Sequence, residues 1–124
     1  MKIVIETMPS SQQRYDTWGD WWLDADHTLQ IRVSSDEPAM PSGQHQLCVA
    51  IHELVEALLC IDREITVAQV DHFDMVMAPT LGLAEDDEPG DHPLAPYRKE
   101  HRFAMLMEHL MARELGLDGY GVVR

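Results

Sequence analysis

The chain has 124 residues, is 45% hydrophobic, and carries 22 acidic residues against 9 lysines and arginines, which gives a formal net charge of −13. This length suits one domain with a modest core. The charge argues against direct binding of nucleic acid or of an anionic membrane, because both need a positive protein face. No apolar run approaches a membrane span, and the first residues do not resemble a signal peptide. We therefore expect a cytoplasmic protein.

Strands are predicted in the first third of the chain. Residues 2–6 alternate weakly, residues 16–22 carry three tryptophans, and residues 28–33 (TLQIRV) alternate apolar with polar side chains. A turn-like sequence at residues 23–27 would join the last two strands. Residues 34–43 contain two prolines and end the sheet region. We expect a small antiparallel sheet of three strands.

Three helices are predicted after the sheet. They cover residues 44–61, 66–77 and 96–115. Thr66 is a good N-terminal cap for the second helix, and Gly116 is a good stop for the third. Between these helices, residues 79–96 are acidic and rich in proline and glycine, which is typical of an exposed loop. The prediction is a single α+β domain over residues 1–124, with a sheet region (1–34) and a helical region (44–116).

The first predicted helix contains an unusual apolar run, LCVAIHELVEALLCI at residues 47–61. Its three polar side chains are His52, Glu53 and Glu56, and it has no lysine or arginine. His52 and Glu56 share one helix face a single turn apart, with Glu53 beside them. Apolar residues on the same arc indicate that this face is half buried. Buried carboxylates need a cation or strong donors, so the pattern favours a metal site.

The last predicted helix carries a second polar pair on an apolar stripe, His101 and Glu108. Docking the two helices face to face would bring His52, Glu56 and His101 together, with Glu108 behind them. Two imidazoles and one carboxylate with an open fourth position are typical of a catalytic zinc site. Glu53 would then accept a proton from the attacking water. The alternative is a buried His–Glu hydrogen-bond network without metal.

A strand, a loop and then AIHELVEALL resemble the active-site helix of the zincin metallopeptidases, whose signature is His-Glu-x-x-His after an antiparallel sheet. The resemblance implies a minimal zincin-like fold and a peptide substrate. It also implies zinc bound by His52, Glu53 as general base, and His101 as a ligand from a downstream helix. Glu56 stands where the family has its second histidine. A carboxylate ligand at that position lowers the net positive charge of the metal site. The segments IHELVEALLC, APYRKEHRFA and ARELG also resemble small uncharacterised phage and prophage proteins.

A second motif predicts a different enzyme. Glu53-x-x-Glu56 followed by Asp71-x-x-Asp74 is similar to the magnesium site of the all-α nucleotide pyrophosphohydrolases. Four carboxylates from two antiparallel helices suit magnesium or manganese bridging to phosphates. The predicted strands fit that all-α family poorly.

A third interpretation is an inhibitor without enzymatic activity. Small acidic proteins can mimic DNA if their carboxylates are spaced along a surface like phosphates. Here residues 85–91 form an acidic cluster, but the helices lack ladders of acids.

The last predicted helix is apolar almost all round. Phe103, Leu106 and Leu110 lie opposite the face that carries His101. This arrangement favours burial on two sides, as would occur in a homodimer.

Overall fold

The sheet has three strands, and the strand at its centre is the last one in the chain. The computed structural model describes residues 1–84 and 87–117. The strands are β1 (Ile3–Met8), β2 (Gly19–Leu23) and β3 (Leu29–Ser34). Their order in the sheet is β1–β3–β2. Leu29, Ile31 and Val33 of the central strand are fully buried and form the base of the core.

The sheet is mixed, so the prediction of an antiparallel sheet was wrong for β1. β2 and β3 form the expected antiparallel hairpin, but β1 runs parallel to β3. The reason lies in residues 9–18, which cross the end of the sheet and start β2 two strand positions away from β1, leaving room for one strand between them. β3 then fills the gap: Ser34 N–H donates to Trp18 O on one side, and Ser35 N–H donates to Met8 O on the other.

Three helices follow the sheet, as predicted. They are α1 (Gly43–Asp62), α2 (Val67–His72) and α3 (Arg98–Glu114). Thr66 caps α2 with a reciprocal bond to Gln69, as the sequence predicted. α2 is shorter than predicted, because the chain passes through a π-helical turn at Phe73–Met77 before Pro79, which has no N–H to donate. Gly116, at φ 68°, ends α3 as expected.

α1 lies at the middle of the fold. One side of it packs against β2 and β3, and another side packs against α3. The core between the sheet, α1 and α2 includes Trp21, Met40, Val70 and Phe73. The architecture is therefore the predicted α+β class. Among the described residues, none of the helices combines the length and apolar content that crossing a bilayer requires.

The solvent side of α3 carries several apolar side chains beside its charged ones. Phe103, Leu106 and Leu110 are between 46% and 51% exposed in the single chain. The homodimer inferred from this face stays a prediction.

The acidic loop was predicted to be exposed over residues 79–96, but part of it is packed. Glu85 and Asp86 lie outside the described residues. Within residues 87–96, Gly90 is buried against the His101 ring, and a Cβ at this position would collide with Cγ of that ring. The loop therefore lies against α3 at the candidate site.

Candidate metal centre

α1 supplies three polar side chains to the interior. His52 and Glu56 are each 5% exposed and Glu53 is 9% exposed. Ser42 caps the helix by accepting a hydrogen bond from the His45 N–H, which fixes where the turns begin. With one turn between them, His52 and Glu56 both face α3, and His52 Nε2 lies 3.1 Å from Glu56 Oε2.

α3 brings His101 and Glu108 to the same place. His101 Nδ1 lies 3.0 Å from Glu56 Oε2 and 3.2 Å from His52 Nε2. The structure thus brings His52, Glu56 and His101 together, with one ligand atom from each in mutual contact and all three residues buried. Glu108 lies behind His52, where the sequence predicted it.

Hydrogen bonds alone explain this contact poorly. If both nitrogens donate to the one Glu56 oxygen, the two N–H groups are crowded side by side, with their nitrogens 3.2 Å apart. If one nitrogen is unprotonated, it can accept a hydrogen bond from the other ring, but its lone pair then faces the lone pairs of the Glu56 oxygen. A cation among the three atoms resolves the conflict, because each atom then offers a lone pair. Zinc bonds of 2.0–2.1 Å at tetrahedral angles separate ligand atoms by about 3.3 Å, close to the spacing found here.

Each of the three candidate ligands is held from behind. His52 Nδ1 lies 2.8 Å from Glu108 Oε1, and Trp21 Nε1–H donates to Glu56 Oε1 at 3.1 Å. His101 Nε2 lies 2.9 Å from Glu88 Oε2, an ion-pair contact without good hydrogen-bond direction. Carboxylates behind the far ring nitrogens turn Nε2 of His52 and Nδ1 of His101 towards Glu56, as is usual for metal-binding histidines.

Two of these supporting residues were missed by the sequence analysis. Glu88 belongs to the acidic loop, and no helical or strand period connects it with His101. Trp21 stands on the face of β2 that pairs with Ile31, so its inward direction could have been read from strand alternation. The residue that Trp21 contacts there, Glu56, could not be predicted in this way.

The charges in the cluster are strongly coupled. Burial would lower the pKa of His52, but the Glu108 and Glu56 carboxylates raise it well above its ordinary value. Burial would also lower the pKa of His101, but the Glu56 and Glu88 carboxylates raise it to about 9. Burial would raise the pKa of Glu56, yet His101 and His52 lower it to about 2. In the absence of metal, protons therefore occupy the cluster, and a metal would have to displace them.

Glu53 stands apart from this cluster. Among the described residues it has no hydrogen-bond partner, and its side chain lies against Gly19, where a Cβ would come within 2.6 Å of Oε1. Burial, together with the charge of Glu56, raises the pKa of Glu53 well above its usual range. A carboxylate with a raised pKa and no donor is well suited to accept a proton.

A cavity of about 760 Å³ opens beside these residues. Its wall includes His52, Glu53, Glu56 and His101, and residues 87–91 of the acidic loop form another part. This volume lies in the range of ordinary small-molecule sites. The candidate ligands are therefore reachable by a ligand of moderate size.

The second predicted carboxylate pair has other partners. Asp71 forms an ion pair with Arg14 at 3.0 Å, and Asp74 accepts hydrogen bonds from the Tyr97 and Tyr15 hydroxyls. Among the described residues, neither Asp71 nor Asp74 belongs to a group of three or more potential ligands within 4.8 Å of one another. The four carboxylates of the pyrophosphohydrolase motif are thus not gathered into one site in this structure.

A second group of potential ligands shares His101. Glu88 and Asp91 contact its Nε2 at 2.9 and 3.6 Å, and this group is partly exposed. The simpler role for these carboxylates is to orient His101, as Glu108 orients His52.

Three comparisons with known proteins gave no match: no family model, no curated protein and no solved structure matches this chain. The zincin-like and phage-protein resemblances gain no support from this result and lose none. Both stay predictions.

Glu108→Gln should weaken metal binding without removing a ligand. The amide keeps the size of the side chain but is a weaker acceptor for His52 Nδ1–H. We expect an affinity loss of about 10- to 100-fold, measured by competition with a chelating dye. Glu100→Gln is the matched control, because Glu100 is also buried on α3 but pairs with Arg63. Equal metal affinities in the two variants would contradict the role of Glu108.

Asp74 should make the metal-free protein less stable as the pH rises. Burial and the nearby Glu56 charge raise the pKa of Asp74 from 3.8 to about 7, although the tyrosine hydroxyls oppose this. The folded state therefore binds the proton more tightly than the unfolded chain, and stability falls between these two values. Asp74→Asn should gain stability relative to wild type as the pH goes from 4 to 8, by roughly 4 kcal/mol at most.

Urea unfolding of chelator-treated protein at both pH values measures this difference. Asp26→Asn, at an exposed turn position, serves as the control and should show no comparable change. A difference between Asp74→Asn and wild type that is the same at pH 4 and pH 8 would show that the pKa of Asp74 is not raised.

Proposed function

We propose that this protein binds a divalent transition metal through His52, Glu56 and His101 and uses it to hydrolyse a substrate in the adjacent cavity. One observation carries the proposal. Three buried ligand atoms from two helices lie 3.0–3.2 Å apart, in a contact that protons satisfy poorly. Each of the three side chains is also supported from behind.

The donor set favours zinc or a similar metal. Two imidazole nitrogens and one carboxylate oxygen suit zinc, iron, nickel or copper, whereas magnesium prefers six oxygen ligands. Manganese and magnesium remain the expected metals of the alternative pyrophosphohydrolase. Three protein ligands would leave a further coordination position for substrate or water.

The proposed reaction is hydrolysis of an amide, with a peptide as the expected substrate. The metal would supply a Lewis acid. Glu53 accepts a proton from the attacking water, whose oxygen bonds to the acyl carbon. The carbon–nitrogen bond then breaks, and Glu53 passes the proton to the leaving amine. The raised pKa of Glu53 suits both halves of this transfer.

The zincin-like relationship, a phage or prophage origin and a cytoplasmic location belong to the same proposal. Cys48 and Cys60 are both free and buried, which is compatible with a reducing compartment. These three points rest on sequence patterns and are separate from the geometric argument for the site.

The test is the metal content of protein purified without chelator and without a nickel column. Mass spectrometry should find about one transition-metal ion per chain, and amide-hydrolase screens would follow. Protein that holds no transition metal and takes none up from added zinc, iron or nickel would overturn the proposal. Magnesium-dependent nucleotide hydrolysis would instead support the alternative enzyme.

A further inference from the structure

We propose that the cavity selects a positively charged substrate, one that carries an ammonium or guanidinium group. This inference rests on the proposed function for the reaction, but it concerns the charge of what binds. It follows from the charges and rings that line the cavity and from one buried carboxylate that has no partner.

The cavity wall is far more acidic than the chain as a whole. Nine of the 21 lining residues are Asp or Glu. Although the chain has 9 lysines and arginines, none of those in the described residues lines the cavity. The acidic residues of the wall are Asp16, Asp20, Glu53, Glu56, Asp74, Asp87, Glu88, Asp91 and Glu108.

Neighbouring groups offset only part of this charge. Arg14 pairs with Asp20 at 2.8 Å, and a divalent cation or, without metal, the protons on His52 and His101 would offset about two further charges of the nine carboxylates. Asp16 is exposed at the rim, and Asp91 is 55% exposed. A cavity wall with a net negative charge focuses the electric field, so it attracts cations and repels anions.

Glu53 supplies an independent reason for a cationic occupant. Glu53 is only 9% exposed, and it lines the cavity. No described side chain donates a hydrogen bond to it. A buried carboxylate without a donor costs several kcal/mol unless a cation or donor comes near. His52 and His101 act on Glu53 only through their charge, and no described side chain donates a hydrogen bond to it, so a donor for this carboxylate would come with what enters the cavity.

The aromatic part of the wall suits the same class of ligand. Tyr15, Trp18, Trp21 and Tyr97 all line the cavity. Ring faces attract ammonium and guanidinium groups, and this protein already stacks Arg14 over Trp22 at 4.4 Å elsewhere. Phosphates and carboxylates would find only a bound metal or the two histidines as a positive charge on this wall, which has no lysine or arginine among the described residues.

Two probes of the same shape test the charge alone. N-acetylargininamide carries a guanidinium group, and N-acetylcitrullinamide replaces it with an uncharged urea; both have a blocked amine that cannot chelate metal. Isothermal titration of metal-loaded and chelator-treated protein should show the arginine probe binding about tenfold more tightly than the citrulline probe. Added salt should weaken the arginine probe only. N-acetylglutamate, the anionic probe, should bind more weakly than both.

A matched pair of double variants locates the binding. Asp16→Asn with Asp91→Asn removes two charges from the cavity wall and should weaken the arginine probe about fivefold. Asp26→Asn with Asp62→Asn removes the same charge from exposed positions that do not line the cavity, and it should change nothing. Circular dichroism confirms that each variant is folded.

Equal affinities for the two matched probes, tighter binding of the glutamate probe, or no binding of the arginine probe at millimolar concentration would overturn the inference. Equal weakening of arginine-probe binding by both double variants would also overturn the inference. Metal content is measured on the same samples, so loss of the proposed hydrolase site and loss of the charge preference are seen separately.

Discussion

Alanine in place of His101 should abolish stoichiometric metal binding. The change removes one of three ligands and leaves a site with one imidazole and one carboxylate. The loss should exceed the roughly 10- to 100-fold that follows removal of an outer partner of a ligand. His52→Ala should have the same effect, because Nε2 of His52 contacts both other ligand atoms. Mass spectrometry of the purified variants measures the metal that remains.

Folding must be separated from binding in this experiment. Without His101, Glu56 and Glu88 lose a buried cationic partner, which costs about 3–5 kcal/mol for a broken buried pair. His101→Gln is therefore the second variant, since its amide can still donate to a carboxylate but binds zinc poorly. His72→Ala, at an exposed position of α2, is the matched histidine control. Folded His101→Gln protein that keeps wild-type metal content would exclude His101 as a ligand.

Glu53→Gln should separate stability from activity. The amide has nearly the same shape and cannot accept the proton from water, so turnover should fall by about 10²- to 10⁴-fold. Metal content should be unchanged, because Glu53 is outside the group of three ligands. Stability should rise, since the variant no longer buries a carboxylate without a donor.

Hydrolysis rates against the substrate found by the screen, thermal unfolding and metal content are measured on one preparation. Glu114→Gln, an exposed change at the end of α3, controls for the loss of one negative charge. A Glu53→Gln variant that is more stable and hydrolyses at the wild-type rate would remove Glu53 from the reaction and leave the metal site untouched.

The helices were the most predictable part of the fold. α1 was expected at residues 44–61 and is found at Gly43–Asp62, and the Thr66 cap and Gly116 stop are where the sequence placed them. These features depend on neighbouring residues, through capping side chains and helical period. The direction of β1 was not predictable in this way. It depends on whether the loop at residues 9–18 places β2 directly beside β1 or leaves room for β3 between them.

The sequence by itself determined which side chains on α1 and α3 face inward. The helical period fixes which residues share a face, and the face that carries most apolar residues must be buried. The sequence therefore indicated His52, Glu56, His101 and Glu108 before any contact was known. Only the tertiary structure decided that Trp21 and Glu88 support them, and that Asp71 pairs with Arg14 instead of joining Glu56. Such contacts join residues far apart in the chain, so they follow from packing and not from local spacing.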